Sequence, residues 1–142
     1  MTIARIIEGR EHATVSCEVS ATVEEAARLL AGHRIGAMPV YERGEIVGIF
    51  SERDLLYSIA REGGGVLARR IGEVMTAPAI TVDPETEVME ALSLMTRRRI
   101  RHLPVMRGSN VAGFVSIGDL VKYRIELVEA EAEQMREYIR MA

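Results

Sequence analysis

The sequence predicts an α+β chain made of two β-α-β-β-α units packed against each other, followed by an extended C-terminal helix. Three observations predict it: an internal repeat at constant offset, short β-branched runs alternating with helical periodicity in each copy, and a heptad-spaced tail. Shifting the 142-residue chain by 65 positions lays residues 14–56 on residues 79–121 without a gap. Twelve of those 43 pairs are identical, and they fall at glycine, proline, cap and core positions: Val23/Val88, Glu25/Glu90, Ala26/Ala91, Leu29/Leu94, Arg34/Arg99, Ile35/Ile100, Pro39/Pro104, Val40/Val105, Gly48/Gly113, Ser51/Ser116, Asp54/Asp119 and Leu55/Leu120.

Each copy is read in the same order. Val15 to Cys17 and Ala79 to Val82 are apolar, β-branched runs that predict a first strand. Thr22 followed by Glu25 is a capping box opening a helix, whose buried face is Val23, Ala26, Ala27, Leu29 and Leu30. The second copy has Glu87 in place of Thr22, so its cap is expected to be weaker or shifted to Thr86. Met38 to Tyr41 and Leu103 to Met106 predict strands, each with a proline that implies an edge or irregular pairing. Polar turns at 42–45 and 107–110 lead into strands Ile46 to Phe50 and Val111 to Val115, and a helix starts after Ser51 or Ser116. Such a unit is too small to be stable alone, and two copies burying their faces together remove that difficulty. Gly63-Gly64-Gly65 ends the first copy, Val66 to Met75 predicts a short connecting helix, and Ile3 to Ile7 is its counterpart ahead of the first copy. The expected organisation is residues 1–62 for the first unit with its opening helix and 63–78 for the linker. Residues 79–124 then form the second unit and 125–142 the helical extension.

Bulk properties narrow the function. A net charge of −3 from 18 basic and 21 acidic residues gives no global attraction to nucleic acid or anionic membranes. The lone Cys17 excludes an internal disulfide and fits a reducing compartment; it is expected to be a small core residue. No stretch has the length of apolar sequence a membrane helix needs, and Met1 to Arg10 lacks the apolar core of a signal peptide, so the expected location is the cytoplasm. His12, His33 and His102 have no partners at metal-ligand spacing, and no nucleophile–base–acid set is recognisable, so neither a metal site nor an enzyme is expected. Arg97 and Arg98 are read as a solvated helix end, and the methionines, Met89 and Met95 included, as core filling.

The chemistry lies in the repeated G-x-x-S-x-x-D. A helix starting after Ser51 offers backbone N–H groups and a positive dipole end to a phosphate, the Ser51 hydroxyl adds a donor, and Asp54 can accept both hydroxyls of a ribose. The glycine three residues before the serine is expected to let a ligand approach the strand closely. On spacing alone, Ser51 with Asp54 and Ser116 with Asp119 read first as N-terminal capping pairs, and the ligand reading stays open beside it.

The chain resembles the cystathionine-β-synthase (CBS) domain family. The residues that carry the resemblance are Ile35-Gly36-Ala37-Met38-Pro39-Val40 with Gly48-Ile49-Phe50-Ser51-Glu52-Arg53-Asp54, and their partners Ile100-Arg101-His102-Leu103-Pro104-Val105 with Gly113-Phe114-Val115-Ser116-Ile117-Gly118-Asp119. The resemblance implies a pseudo-two-fold pair of CBS domains with two clefts that hold AMP, ADP or ATP, or in some members NADH or S-adenosylmethionine. It implies no required cofactor, no catalysis, and signalling to a separate effector protein; the rival readings are an enzyme subunit or fragment, against which the absence of a catalytic constellation argues, and a non-binding structural or nucleic-acid adaptor. Ser51, Arg53 and Asp54 in one cleft, and Ser116 and Asp119 in the other, fall on the family's ligand positions. Residues just before the second strand of one repeat reach the phosphate held by the other: Arg101 and His102 for the Ser51–Asp54 cleft, but only Gly36 and Ala37 for its partner. The resemblance places adenine near Ala13 and Thr14 in the Ser51–Asp54 cleft and near Pro78 and Ala79 in the other.

In the tail, Val121, Ile125, Val128, Ala132, Met135 and Ile139 recur at heptad a/d spacing. The seam predicts either a helix pair, and with it a homodimer, or a helix folded back on its own unit.

Overall fold

The computed structural model describes residues 1–8, 10 and 14–142; His12 and Ala13 lie outside the described residues. Helix α1 (Ile3–Ile7) is followed by strand β1 (Cys17–Glu18), helix α2 (Val23–His33), strands β2 (Ala37–Glu42) and β3 (Glu45–Ser51), and helix α3 (Glu52–Glu62). The second repeat supplies helix α4 (Val88–Arg98), strands β4 (His102–Arg107) and β5 (Asn110–Ser116), and helix α5 (Ile117–Met141). β1 joins β2 in parallel and β2 pairs antiparallel with β3; β4 and β5 form the matching antiparallel pair. The duplication extends to a bulge. The ladder slips between Val40 and Tyr41 in one copy and between Val105 and Met106 in the other, a pair of sites also 65 residues apart.

The strand prolines are tolerated for a geometric reason. Pro39 stands opposite Ile49, whose N–H and C=O both bond to Thr76 instead, so the missing N–H of Pro39 costs that ladder nothing. The second copy's first strand, expected over Ala79 to Val82, is reduced to a single bridge from Val82 to Val105. In the first copy Val19 N–H extends the pairing by bonding Tyr41 O; the equivalent residue is Pro84, which has no N–H to give. Thr22 and Glu25 form the expected capping box. At the start of α4 no side chain caps the helix: Glu87 bonds the N-terminal amine and Thr86 bonds Asp83, so the cap is weakened, not shifted.

Residues 66–75 do not form one connecting helix. Two short 3₁₀ helices, Gly64–Ala68 and Ile71–Glu73, flank an extended Arg69–Arg70. Helical bonding is forfeited because this backbone pairs with the first repeat: Val23 N–H donates to Arg69 O, Ile71 N–H to Ala21 O and Gly72 N–H to Val19 O. The same three bonds recur around α1, but on the second repeat: Val88 N–H to Met1 O, Ile3 N–H to Thr86 O and Ala4 N–H to Pro84 O. Each repeat is therefore completed by the segment that precedes the other. Ile71 is buried in the core of Cys17, Val23, Leu30, Met38, Val40 and Phe50; Ile3 is buried with Val88, Met95, Leu103, Val105, Val115 and Leu120.

Three core expectations are settled by burial. Cys17 is buried, which pushes its thiol up to about 11, with Glu18 adding to the shift. Met95 is in the core, whereas Met89 is 55% exposed, because α4 buries the Val88–Ala91–Met95 face. Along α5 only Leu120 is buried; Val121, Ile125, Val128, Met135 and Ile139 are exposed, so the seam does not fold back onto its own unit.

Candidate functional site

The first cleft is a cavity of about 340 Å³ between the repeats. One wall is the start of α3, with Ser51, Arg53, Asp54 and Tyr57; the facing wall is Arg99, Arg101 and His102; Thr76, Pro78 and Ala79 line it as well. Local structure holds these walls. Arg99 ends α4 in the left-handed conformation, turning the chain so that Arg101 and His102 enter the cleft. Arg101 O then accepts from Ile117 N–H at 2.7 Å, and in the first repeat Gly36 O accepts from Glu52 N–H at 2.9 Å. The Arg53 guanidinium crosses to the second repeat and donates to Arg99 O at 3.0 Å.

Ser51 and Asp54 form a full capping box. Asp54 N–H donates to Ser51 Oγ, and Asp54 Oδ2 accepts from both Ser51 N–H and the Ser51 hydroxyl. Two of the N–H groups at this helix start are already bonded, Glu52 to Gly36 O and Asp54 to Ser51 Oγ, so the helix end is less open to a phosphate than the motif alone suggests. Asp54 Oδ1 is the oxygen turned toward the other segment, accepting from the Thr76 hydroxyl at 2.8 Å. Three guanidinium groups (Arg53, Arg99, Arg101) and two carboxylates (Glu52, Asp54) line the cleft, an excess of one positive charge. Burial holds His102 below its ordinary value, against the upward pull of Asp119 and Glu52 and with Arg101 adding to the lowering, and its ring stacks on Phe114 at 5.6 Å.

The second cleft, of about 950 Å³, contains Ser116, Asp119, Thr14, Arg10 and Arg34, and shares Gly36, Ala37 and His102 with the first. Ser116 and Asp119 form the equivalent capping box. Burial would raise Asp119, but the Ser116 N–H and the Arg10 guanidinium outweigh it and hold the carboxyl below its usual range.

The structure brings Ser51, Arg53, Asp54, Arg101 and His102 together as expected and corrects three other expectations. Pro78 and Ala79 line the Ser51–Asp54 cleft and Thr14 lines the Ser116–Asp119 cleft, the reverse of the expected pairing, because each connecting segment crosses to the other repeat. Ala13 lies outside the described residues. Gly48 and Gly113 do not make room for a ligand. A Cβ on Gly48 would lie 2.7 Å from Thr76 O and from Met75 Sδ, and one on Gly113 2.8 Å from Ile7 Cγ2, so both glycines admit the crossing segments. The second cleft, expected to lack cations, has Arg10 and Arg34. Sequence reasoning missed Thr76, Tyr57, Arg99 and Arg10. The Arg34/Arg99 identity was a usable signal for one of them, whereas Thr76 and Arg10 sit outside the gapless repeat.

Two small α+β units that exchange their leading segments and enclose two clefts define a duplicated two-cleft module. The model of the CBS domain matches residues 11–61 and 71–126, and the chain belongs to the CBS-domain family. It is 38% identical over 128 residues to the mitochondrial CBS domain-containing protein CBSX3 of Arabidopsis thaliana, covering 87% of this chain and 62% of that relative's length. Among solved structures it is similar to a protein with CBS domains from Burkholderia ambifaria MC40-6, at 35% identity, TM-score 0.84 and coverage of 89% and 95% of the two chains. The same fold is seen in the CBS domain pair of protein MJ0100, in complex with 5′-methylthioadenosine and S-adenosyl-L-methionine, at 23% identity, TM-score 0.76 and coverage of 87% and 94%. Among the described residues no helix is long and apolar enough to cross a membrane, and no three metal-ligating side chains cluster.

Proposed function

We propose that the chain is a regulatory module that binds AMP, ADP or ATP in the cleft between its repeats and signals to a separate effector protein, without catalysing a reaction. The observation that carries this reading is the first cleft itself. Asp54 from one repeat and Arg101 and His102 from the other line it together, at a volume within the range of small-molecule sites. Asp54 would accept the ribose hydroxyls, and Arg101 would take the phosphate in a charge-assisted bond. Because the ligand touches both repeats, its binding energy biases their relative arrangement, which is how a binder without chemistry signals. The exposed seam on α5 supports a homodimer as the signalling unit. A cytoplasmic location belongs to the same proposal, although the Arabidopsis relative is named as mitochondrial.

The complex of protein MJ0100 supports adenosine compounds as the ligand class and makes S-adenosylmethionine the chief alternative. The positive excess in the first cleft favours a phosphate over the sulfonium of that compound. A thermal-shift series with AMP, ADP, ATP, NADH, S-adenosylmethionine and oligonucleotides tests the reading through mass action on the folded state. AMP, ADP or ATP should raise the melting temperature most. A flat response to every adenine compound at millimolar concentration leaves the two serine–aspartate pairs as helix caps only.

A further inference from the structure

The two clefts treat their aspartates differently. In the first, Asp54 Oδ1 accepts from a neutral hydroxyl, that of Thr76, at 2.8 Å. In the second, Arg10 Nη2 stands 3.0 Å from Asp119 Oδ2, while Arg10 Nη1 donates to Phe114 O at 2.8 Å. The connecting segments explain the difference. They repeat at an offset of 68 residues, Ile3 matching Ile71 and Ile7 matching Met75, and counting on at that offset sets Arg10 opposite Pro78. Pro78 lines the first cleft and Arg10 lines the second.

We propose that Arg10 is the specificity-determining residue of the second cleft, admitting phosphorylated adenosine compounds and excluding the bare nucleoside. The inference rests on the reading of the clefts as adenine-nucleotide sites. A ribose diol reaching Asp54 exchanges one hydroxyl donor for another. At Asp119 both Arg10 and the Ser116 N–H bond Oδ2, where Asp54 Oδ2 has only the neutral donors of Ser51, so a diol that spreads over both carboxylate oxygens competes there with a charged donor and draws Asp119 away from Arg10. Charge-assisted bonds are about twice as strong as neutral ones, so the nucleoside loses by that exchange. A ligand with its own phosphate does not. The anion takes the fork of Arg10 bidentately while the diol takes the freed Asp119. Arg34, exposed at the end of α2, lines the same cleft and adds a second cation for the phosphate.

The test uses the full chain, wild type and Arg10→Gln, titrated with AMP and with adenosine. The amides of Gly113 and Phe114 are followed by NMR as reporters of the second cleft, and those of Asp54 and Tyr57 as reporters of the first. In the wild type, AMP should perturb both sets, and adenosine should perturb only the first. In Arg10→Gln, adenosine binding at the second cleft should tighten at least tenfold, and AMP binding there should weaken by about ten- to a hundredfold. Arg10→Lys keeps the charge but not the planar fork, and should fall between the two. Arg10 ties the leading segment to Asp119 and Phe114 O, so Arg10→Gln should melt somewhat lower without ligand, and each protein's unliganded stability is measured first and subtracted. Equal affinities of adenosine and AMP at the second cleft of the wild type, or Arg10→Gln titrations that match the wild type's, overturn the proposal and leave Arg10 as a tie for the leading segment. If the first cleft responds and the second does not in any of the proteins, this inference fails while the nucleotide reading stands. If neither cleft responds to either compound, the nucleotide reading fails and takes the inference with it.

Discussion

The Thr76 hydroxyl donates to Asp54 Oδ1 at 2.8 Å, while Asp54 Oδ2 takes the N–H and hydroxyl of Ser51. One carboxylate thus ties the end of β3, the first turn of α3 and the segment leading into the second repeat, and it is also the group expected to meet a ribose. Asp54→Ala should cost about 1–2 kcal/mol of stability from the lost cap alone, measured by denaturant unfolding without ligand. After that loss is subtracted, AMP affinity by calorimetry should still fall for Asp54→Ala. An unchanged affinity would mean that the carboxylate is a helix cap and not a ribose acceptor.

Arg101 is fixed by its own backbone, since its carbonyl accepts from Ile117 N–H, and its guanidinium needs no other duty to line the first cleft. Arg101→Ala should therefore leave the melting temperature nearly unchanged and weaken AMP by roughly ten- to a hundredfold. Adenosine, with no phosphate, should be indifferent to the change in the first cleft; a matching loss for adenosine would remove Arg101 from the phosphate role.

The two interface glycines predict unequal costs. Gly48→Ala sets its Cβ 2.7 Å from the backbone oxygen of Thr76, which is held by a two-way pairing with Ile49; Gly113→Ala meets a side-chain methyl of Ile7. Gly48→Ala should destabilise by about 1–3 kcal/mol and Gly113→Ala by less, read as shifts in the denaturation midpoint. Gly48→Ala should also weaken AMP binding, because Thr76 carries the partner of Asp54.

Acid should destabilise the fold in two windows. Burial keeps His102 below its ordinary 6.5, so as the pH falls through 6.5 the unfolded chain takes up this proton first and stability declines until folded His102 is protonated as well. Asp119, held below its ordinary 3.8 by Ser116 and Arg10 despite burial, contributes stability that is present above 3.8 and lost as the pH falls through its folded value. His102→Gln should flatten the melting-temperature profile just below pH 6.5, and Asp119→Asn should flatten it below pH 3.8. A His102→Gln profile parallel to the wild type's would show that the imidazole is not held neutral.

The exposed seam predicts assembly. Light scattering on the full chain should give twice 15.7 kDa, and a version ending at Arg124, which lacks Ile125 to Ile139, should give a monomer or a weakened dimer. Monomers in both cases rule the pairing out; equally stable dimers show that the contact lies elsewhere than on the tail.

Much of this fold was legible in the sequence because the signals were local and came twice. The Thr22–Glu25 box, the Val23–Ala26–Leu30 stripe and the Ser51 helix start depend on spacing within one element, and the duplication repeated the last two as Val88–Ala91–Met95 and Ser116–Asp119. The failures share a cause. The missing strand at Ala79 to Val82 follows from Pro84 lacking an N–H that matters only because Val19's reaches Tyr41 O. The broken helix at 66–75 follows from backbone bonds to residues some fifty positions earlier in the chain.

The sequence by itself determined the duplication, the two helix starts, and the arginine and histidine that stand before β4 but not before β2. These depend on residue identity at short range or on a constant offset, and no knowledge of the third dimension alters them. Only the tertiary structure decided which segment completes which cleft. A crossing chain leaves no periodic trace: Ile3 and Ile71 look alike as sequence, and either could pack on the repeat it precedes. The exchange sets Pro78 and Thr76 beside Asp54 and Arg10 beside Asp119, and so gives two nearly identical aspartates a neutral partner in one cleft and a charged one in the other.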